Sequence, residues 1–168
     1  PEGEAFVSFQ QYCLALKERG VLLAVCSKND ETTAKSGFSH PDSVLSFDDF
    51  SAFFANWEPK PDNLRRVAET LGIGVDALVF VDDNPAEQAL VRRALPEVAV
   101  PHVTHVTAFA DALDREGYFE PFTLGVEDAQ RATYVKENAA RDAAREVTPG
   151  DYGAYLDSLA MVAEIGPI

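Results

Sequence analysis

The chain has 168 residues, 46% hydrophobic and 25% charged, which is the size and balance of one globular domain and excludes a disordered or fibrous polymer. A formal charge of −14 argues against nucleic acid as a partner, since its phosphates would be repelled. The longest apolar run, Val21 to Cys26, is too short to cross a bilayer, and two cysteines without framework spacing argue against a disulfide scaffold, so the expected setting is cytoplasmic, with no membrane partner.

Ala5, Phe6, Phe9, Tyr12, Cys13 and Leu16 recur at helical spacing, with Gly20 placed for a C-terminal cap. Val21 to Cys26 follows as a β-branched apolar run of the kind found in strands buried on both faces. Asp30 is positioned to cap a helix reaching Gly37, His40-Pro41-Asp42 makes a turn, and Val44-Leu45-Ser46 reads as a short strand. Asp48 to Trp57 is ambiguous, its phenylalanines suiting either a lid or a buried connector. Asp62 caps a helix to Leu71 with Leu64, Val67, Ala68 and Leu71 inward. Leu78 to Val81 is the next buried strand, and Pro85 opens a helix to Leu95 with Asn84 as its N-cap. Val98 to Val100 is a strand ended by Pro101, and a helix covers Thr107 to Arg115.

This alternation implies an α/β fold, a three-layer doubly wound parallel sheet. A C-terminal helical extension follows, with helices over Glu127 to Glu146 and Tyr152 to Met161 broken at Thr148-Pro149-Gly150. The expected division is a core over 1–116 and an extension over 117–168 that packs on the core or links it to a neighbour. The chain starts at Pro1 without an obvious first strand, and is read as a piece of a larger polypeptide.

Two strands that stop abruptly on polar residues mark the chemistry, because α/β proteins build sites at the carboxyl ends of their strands. Asp82 and Asp83 repel each other unless a hard cation lies beside them, and magnesium takes one or two such carboxylates from a protein. Lys60 stands between Pro59 and Pro61, which stiffen its backbone and leave the ammonium free to reach a phosphate oxygen. Ser27 offers a hydroxyl beside a helix start. Hydroxyl, lysine and paired carboxylates together suggest a phosphoryl site using Mg2+. Cys26 is either a core residue or, if it faces the site, a nucleophile favoured by electropositive surroundings. Cys13 lies on the apolar stripe of the first helix and is assigned to the core. Trp57 either walls the pocket or packs in the core. The arginine pairs Arg65-Arg66 and Arg92-Arg93 read as solvated helix faces.

In that order, Ser27, Lys60 and Asp82-Asp83 resemble motifs two, three and four of the haloacid dehalogenase (HAD) superfamily. Val25 to Asp30, Asn56 to Pro61 and Val79 to Glu87 look more closely like the FkbH-like family, as does the tail around Glu127-Asp128, Arg131 and Tyr134. The superfamily's first motif, an Asp-x-Asp on a central strand, occurs nowhere in the 168 residues. In that fold its strand would lie between those ending at Cys26 and Asp82, which places it upstream of Pro1. The resemblance implies glyceryltransferase and phosphatase activity in polyketide biosynthesis. The substrate would be a small phosphorylated three-carbon compound, 1,3-bisphosphoglycerate, and the partner an acyl carrier protein. It further implies Cys26 as the thioester-forming residue, Ser27, Lys28, Asn29 and Lys60 at the phosphate, Asp82 and Asp83 at Mg2+, and Asn84 and Glu87 behind them.

Two other readings remain. A magnesium-dependent small-molecule phosphatase needs the same residues with no role for Cys26. A non-catalytic module docking a carrier protein would show no turnover at all. A receiver-type signalling domain is excluded by order, since its acidic pair comes early and its lysine late.

Overall fold

The computed structural model describes residues 2–120. The extension helices expected over Glu127 to Glu146 and Tyr152 to Met161 lie outside the described residues.

Helix α1 (Glu2–Glu18) ends in a turn through Gly20, whose φ of 93° is the left-handed conformation only glycine adopts easily. Strand β1 (Ala24–Ser27) pairs in parallel with β2 (Ala52–Ala55), with Cys26 opposite Phe54 and Ser27 opposite Ala55. Helix α2 (Glu31–Gly37) lies between them and begins as expected, with the Asp30 carboxylate accepting the Thr33 N–H at 3.0 Å. Helix α3 (Lys60–Leu71) ends at Gly72 with φ 65°, and α4 (Pro85–Ala94) starts from an Asn84 cap that accepts the Ala86 N–H at 2.9 Å. Leu78–Val81 and Val98–Val100 meet through a short parallel bridge at Val79 and Ala99. A 3-10 turn over Val106–Ala108 then leads into α5 (Phe109–Arg115).

The three layers follow from the alternation of side chains along one strand. Phe80 is buried with Leu64 of α3, Val91 of α4 and Leu95 at the end of α4. The next residue, Val81, packs instead with Phe9 of α1 and Phe109 and Ala112 of α5. Helices α3 and α4 therefore cover one face of the parallel sheet, and α1 and α5 the other.

Five expectations need correction. The strands expected over Leu78–Val81 and Val98–Val100 reduce to a single parallel bridge, because Ala99 alone exchanges backbone bonds with Leu78 and Phe80. Residues 44–46 form no strand, because the Gln10 side-chain oxygen accepts the Val44 and Leu45 N–H groups at 2.7 and 3.0 Å, removing the donors a ladder would need. The ambiguous Asp48–Trp57 segment holds β2, with Ala52 and Ala55 buried and four phenylalanines, Phe38, Phe47, Phe50 and Phe53, packed edge to face or tilted beside it. Asp62 is not the cap of α3. The helix begins two residues earlier, at Lys60, and the Asp62 N–H already bonds the Pro59 carbonyl at 3.0 Å. No residue of β1 is fully buried, although its sequence reads as a two-faced core strand.

The last correction has a structural reason. Leu22–Cys26 and Val79–Val81 line opposite sides of an apolar cleft of about 860 Å3, with Leu16 of α1, Val67 of α3 and Leu113 of α5 contributing to its walls. On its other edge β1 is paired to β2, and Phe80 and Leu78 bond Ala99 away from the cleft. The two strand edges that border the cleft have no ladder partner among the described residues, so β1 keeps one flank open.

Candidate active site

Parallel pairing brings the carboxyl ends of β1 and β2 to one edge, Lys60 joins the end of β1 to Asp82 just beyond Val79–Val81, and the loops there deliver the polar residues. The β2–α3 loop is held by a reciprocal side-chain pair. Asn56 donates to Asn63 at 3.2 Å, Asn63 donates back at 2.7 Å, and the Asn56 oxygen also accepts the Glu58 N–H at 3.0 Å. Asn63 is 1% exposed, so these bonds are formed out of water, where losing one is costly.

That loop places Lys60 at the first position of α3, facing inward. Its ammonium donates to the Asp82 carboxylate and, at 3.2 Å, to the Cys26 carbonyl, and it stands 5.5 Å from the centre of the Phe80 ring. Lys60 thus ties the ends of two strands that are not hydrogen-bonded to each other. An ammonium has three donors, so one remains for a ligand.

Asp82 is almost fully engaged. Its second oxygen accepts the Asn84 N–H at 2.8 Å, and its side chain is 8% exposed. Its backbone carbonyl accepts from Gln88 at 2.7 Å. Gln88 is buried, also donates to the Val103 carbonyl, and accepts from Arg92 at 3.1 Å, so it clamps the strand end to α4. Sequence reasoning missed Gln88; its signal was a polar residue within the inward stripe Gln88, Val91, Leu95. Arg92 was misread as a solvated face. Its guanidinium reaches the Val100 and Pro101 carbonyls at 2.9 and 3.2 Å. Arg65, Arg66 and Arg93 are exposed, as expected.

Asp83, by contrast, is exposed and has no partner among the described residues. The Ser27 hydroxyl also lacks one, while the Ser27 carbonyl accepts the Asn56 N–H at 3.1 Å. Lys28 pairs with Glu87 at 2.6 Å, bridging the β1 end to α4. The other Glu87 oxygen is buried without a partner among the described residues, an arrangement that folded proteins seldom tolerate without a ligand or water nearby. The Asn29 side chain accepts the Asp30 N–H at 2.8 Å and so shapes the loop.

Cys26 is half-buried on the α3–α4 side of the sheet, packed against the cluster of Leu64, Phe80 and Val91, and its thiol donates to the Lys60 carbonyl at 3.8 Å. Burial pushes this thiol up to about 11; Lys60 pulls it down, and Asp82 and Glu87 push it up again. Cys13 is likewise raised to about 11 by burial and is half-buried rather than fully in the core. Trp57 is not in the core: it is 75% exposed.

Two carboxylates, one already engaged and one free, match what magnesium takes from a protein when water and substrate oxygens complete its shell. Among the described residues no group of three or more His, Cys, Asp or Glu side chains is gathered to hold a metal unaided. The donor set therefore fits a hard, partly hydrated cation shared with a phosphate. It does not fit a closed structural metal site.

The sequence profile of the haloacid dehalogenase-like hydrolases matches residues 2–94, more than half of the chain. The chain belongs to that family. A crystal structure of the N-terminal part of a Bacteroides fragilis protein, containing a phosphatase domain and complexed with Mg, is also similar, with 43% identity and a TM-score of 0.70 over 73% of this chain. The present chain spans 33% of that one. Among curated proteins no relative matches. Of the residues expected at the site, Lys60 and Asp82 are in contact. Among the described residues no helix is long and apolar enough to cross a membrane.

Proposed function

We propose that this domain forms the phosphate-binding part of a magnesium-dependent phosphatase acting on small phosphorylated compounds. The observation that carries the reading is the Lys60 ammonium bridging Asp82 and the Cys26 carbonyl at the ends of two separate strands. A phosphate beside it would take the remaining lysine N–H and the free Ser27 hydroxyl. Mg2+ would be held by Asp83 and the outer lone pairs of Asp82, and when bound it would offset the substrate's negative charge. In an acidic chain this local positive charge is what makes an anionic substrate possible.

The aspartate that attacks phosphorus in the family has no counterpart in these residues, and the apolar cleft between β1 and Val79–Val81 is the natural place for the strand that bears it. The full-length protein is accordingly the right object for assay. It should release phosphate from three-carbon phosphate esters only with Mg2+. Asp82→Asn should lower turnover by roughly a hundredfold or more, as loss of a preorganised electrostatic group does. Unchanged turnover in that variant would refute the site.

A finer reading follows the FkbH-like resemblance and the place of Cys26 against Lys60. The full-length protein would load glycerate from 1,3-bisphosphoglycerate onto an acyl carrier protein in polyketide biosynthesis. The Cys26 sulfur would bond to the acyl carbon, the bond from that carbon to the phosphate oxygen would break, and the thiol proton would leave with the phosphate. The carrier thiol would then take the acyl group from Cys26, its proton passing to the Cys26 sulfur. The remaining phosphate ester at the third carbon would be hydrolysed, water supplying the oxygen to phosphate and the proton to the freed hydroxyl, to leave glycerate. The raised thiol requires this proton to be handed over during attack, since little thiolate exists beforehand. Intact-mass measurement after incubation with substrate and Mg2+ should show a glyceryl adduct that Cys26→Ala abolishes. Phosphate release without any adduct leaves the phosphatase reading alone standing, and no turnover in the full-length protein would leave a carrier-docking module.

A further inference from the structure

Trp57 is the chain's sole tryptophan, and it stands in water three residues before the lysine of the site. The exposure does not come from a loose loop. Asn56 and Asn63 lock the turn by paired amides, Pro59 and Pro61 fix the backbone beyond it, and Glu58 is tied to Arg66 at 2.6 Å. An indole left in solvent on a fixed loop forgoes the free energy its burial would release, and no described residue covers it, so a covering group is expected from elsewhere. The Asn56 N–H bonds the Ser27 carbonyl at 3.1 Å, which sets the start of this loop at the same sheet edge as the phosphate-binding groups.

We propose that Trp57 is the specificity-determining residue of this site, with its ring covering the carbon skeleton of a phosphorylated substrate whose phosphate reaches Lys60. The inference rests on the phosphate-site reading above. Lys60 is 8% exposed, so a phosphate on it would sit deep, and Trp57 stands three residues before it on the β2–α3 loop that borders the site. A flat, neutral ring there favours a short carbon chain and contributes nothing to inorganic phosphate. A protein partner is disfavoured, because the ring is an isolated apolar group. Its chain neighbours are Asn56 and Glu58, and among the described residues the other exposed large hydrophobics, Phe6 and Phe47, belong to α1 and to a separate 3-10 turn.

The test uses the full-length protein, calorimetry, and the difference in emission between wild type and Trp57→Phe. With Mg2+ present, a three-carbon phosphate ester should shift Trp57 emission to the blue, and inorganic phosphate should bind without that shift. Trp57→Ala should weaken ester binding about tenfold while changing phosphate binding less than twofold. Equal losses for both ligands, no loss for either, or a shift produced by carrier protein and not by ester would each overturn the proposal. If calorimetry detects neither ester nor phosphate on the wild type, the phosphate-site reading falls and takes this proposal with it.

Discussion

At the floor of the site, Lys60 and Asp82 neutralise each other with side chains about a tenth exposed, whereas at the rim Ser27 and Asp83 stand without hydrogen-bond partners among the described residues. Asp82 and Asp83 are adjacent and chemically identical. One carboxylate holds the fold's strand ends together through a lysine, and the other is left for a ligand. A charge withdrawn from water must find its partner inside the protein, and the same charge kept in water need not. Asp82 thereby serves the fold as well as its proposed share of the metal, whereas Asp83, one residue on, has no such tie to the fold.

Removing a floor charge should have the greatest effect. Lys60→Met leaves the Asp82 carboxylate uncompensated and is expected to cost about 3–5 kcal/mol of stability, read by urea unfolding. Adding Asp82→Asn to Lys60→Met should restore most of that loss, because the orphaned charge is then gone. A double variant as unstable as the single would break the distinction between floor and rim. Next in size, Asn63→Ala strips the buried amide pair beneath Lys60 and should cost about 1–3 kcal/mol. At the rim, Asp83→Asn and Ser27→Ala should each change stability by less than about 0.5 kcal/mol while impairing Mg2+-dependent turnover.

Cys26 sharpens the comparison from a third position, in the apolar wall beside the floor. Its folded value of about 11 lies above the ordinary 9.0, so the fold favours the neutral thiol. That contribution is whole below about pH 9 and disappears as pH rises through 11. Alkylation of Cys26 at neutral pH should run about a hundredfold slower than for a free thiol and accelerate about tenfold per pH unit. Cys13 shares the raised value, so Cys26→Ala is needed to apportion the reaction. Rapid alkylation at neutral pH would mean that the thiol opens to the site.

Much of this site was legible before any coordinates. Apolar runs that stop on polar residues pointed to Ser27 and Asp82, and the structure brings the ends of both runs together through Lys60. Local signals also worked where the physics is local: the Asp30 cap on α2, and Asn84 with Pro85 at the start of α4. What stayed hidden depends on distant partners. The donors of Val44 and Leu45 are claimed by Gln10 more than thirty residues away. The partial exposure of β1 reflects an open flank, which hydrophobicity along the strand does not encode. Gln88 was passed over and Arg92 read as a solvated face because their carbonyl partners, Asp82 and Val100, lie outside α4. Trp57 is the opposite case, a residue whose type suggests burial but whose place on a locked turn denies it.

Calorimetric titration of inorganic phosphate with Mg2+ into the full-length Lys60→Met/Asp82→Asn variant addresses the convergence of these strand ends most directly, since that pair change should leave the protein folded. Wild type should bind phosphate and the double variant should not. Equal phosphate affinity in the two proteins would place the phosphate elsewhere and contradict the site described above.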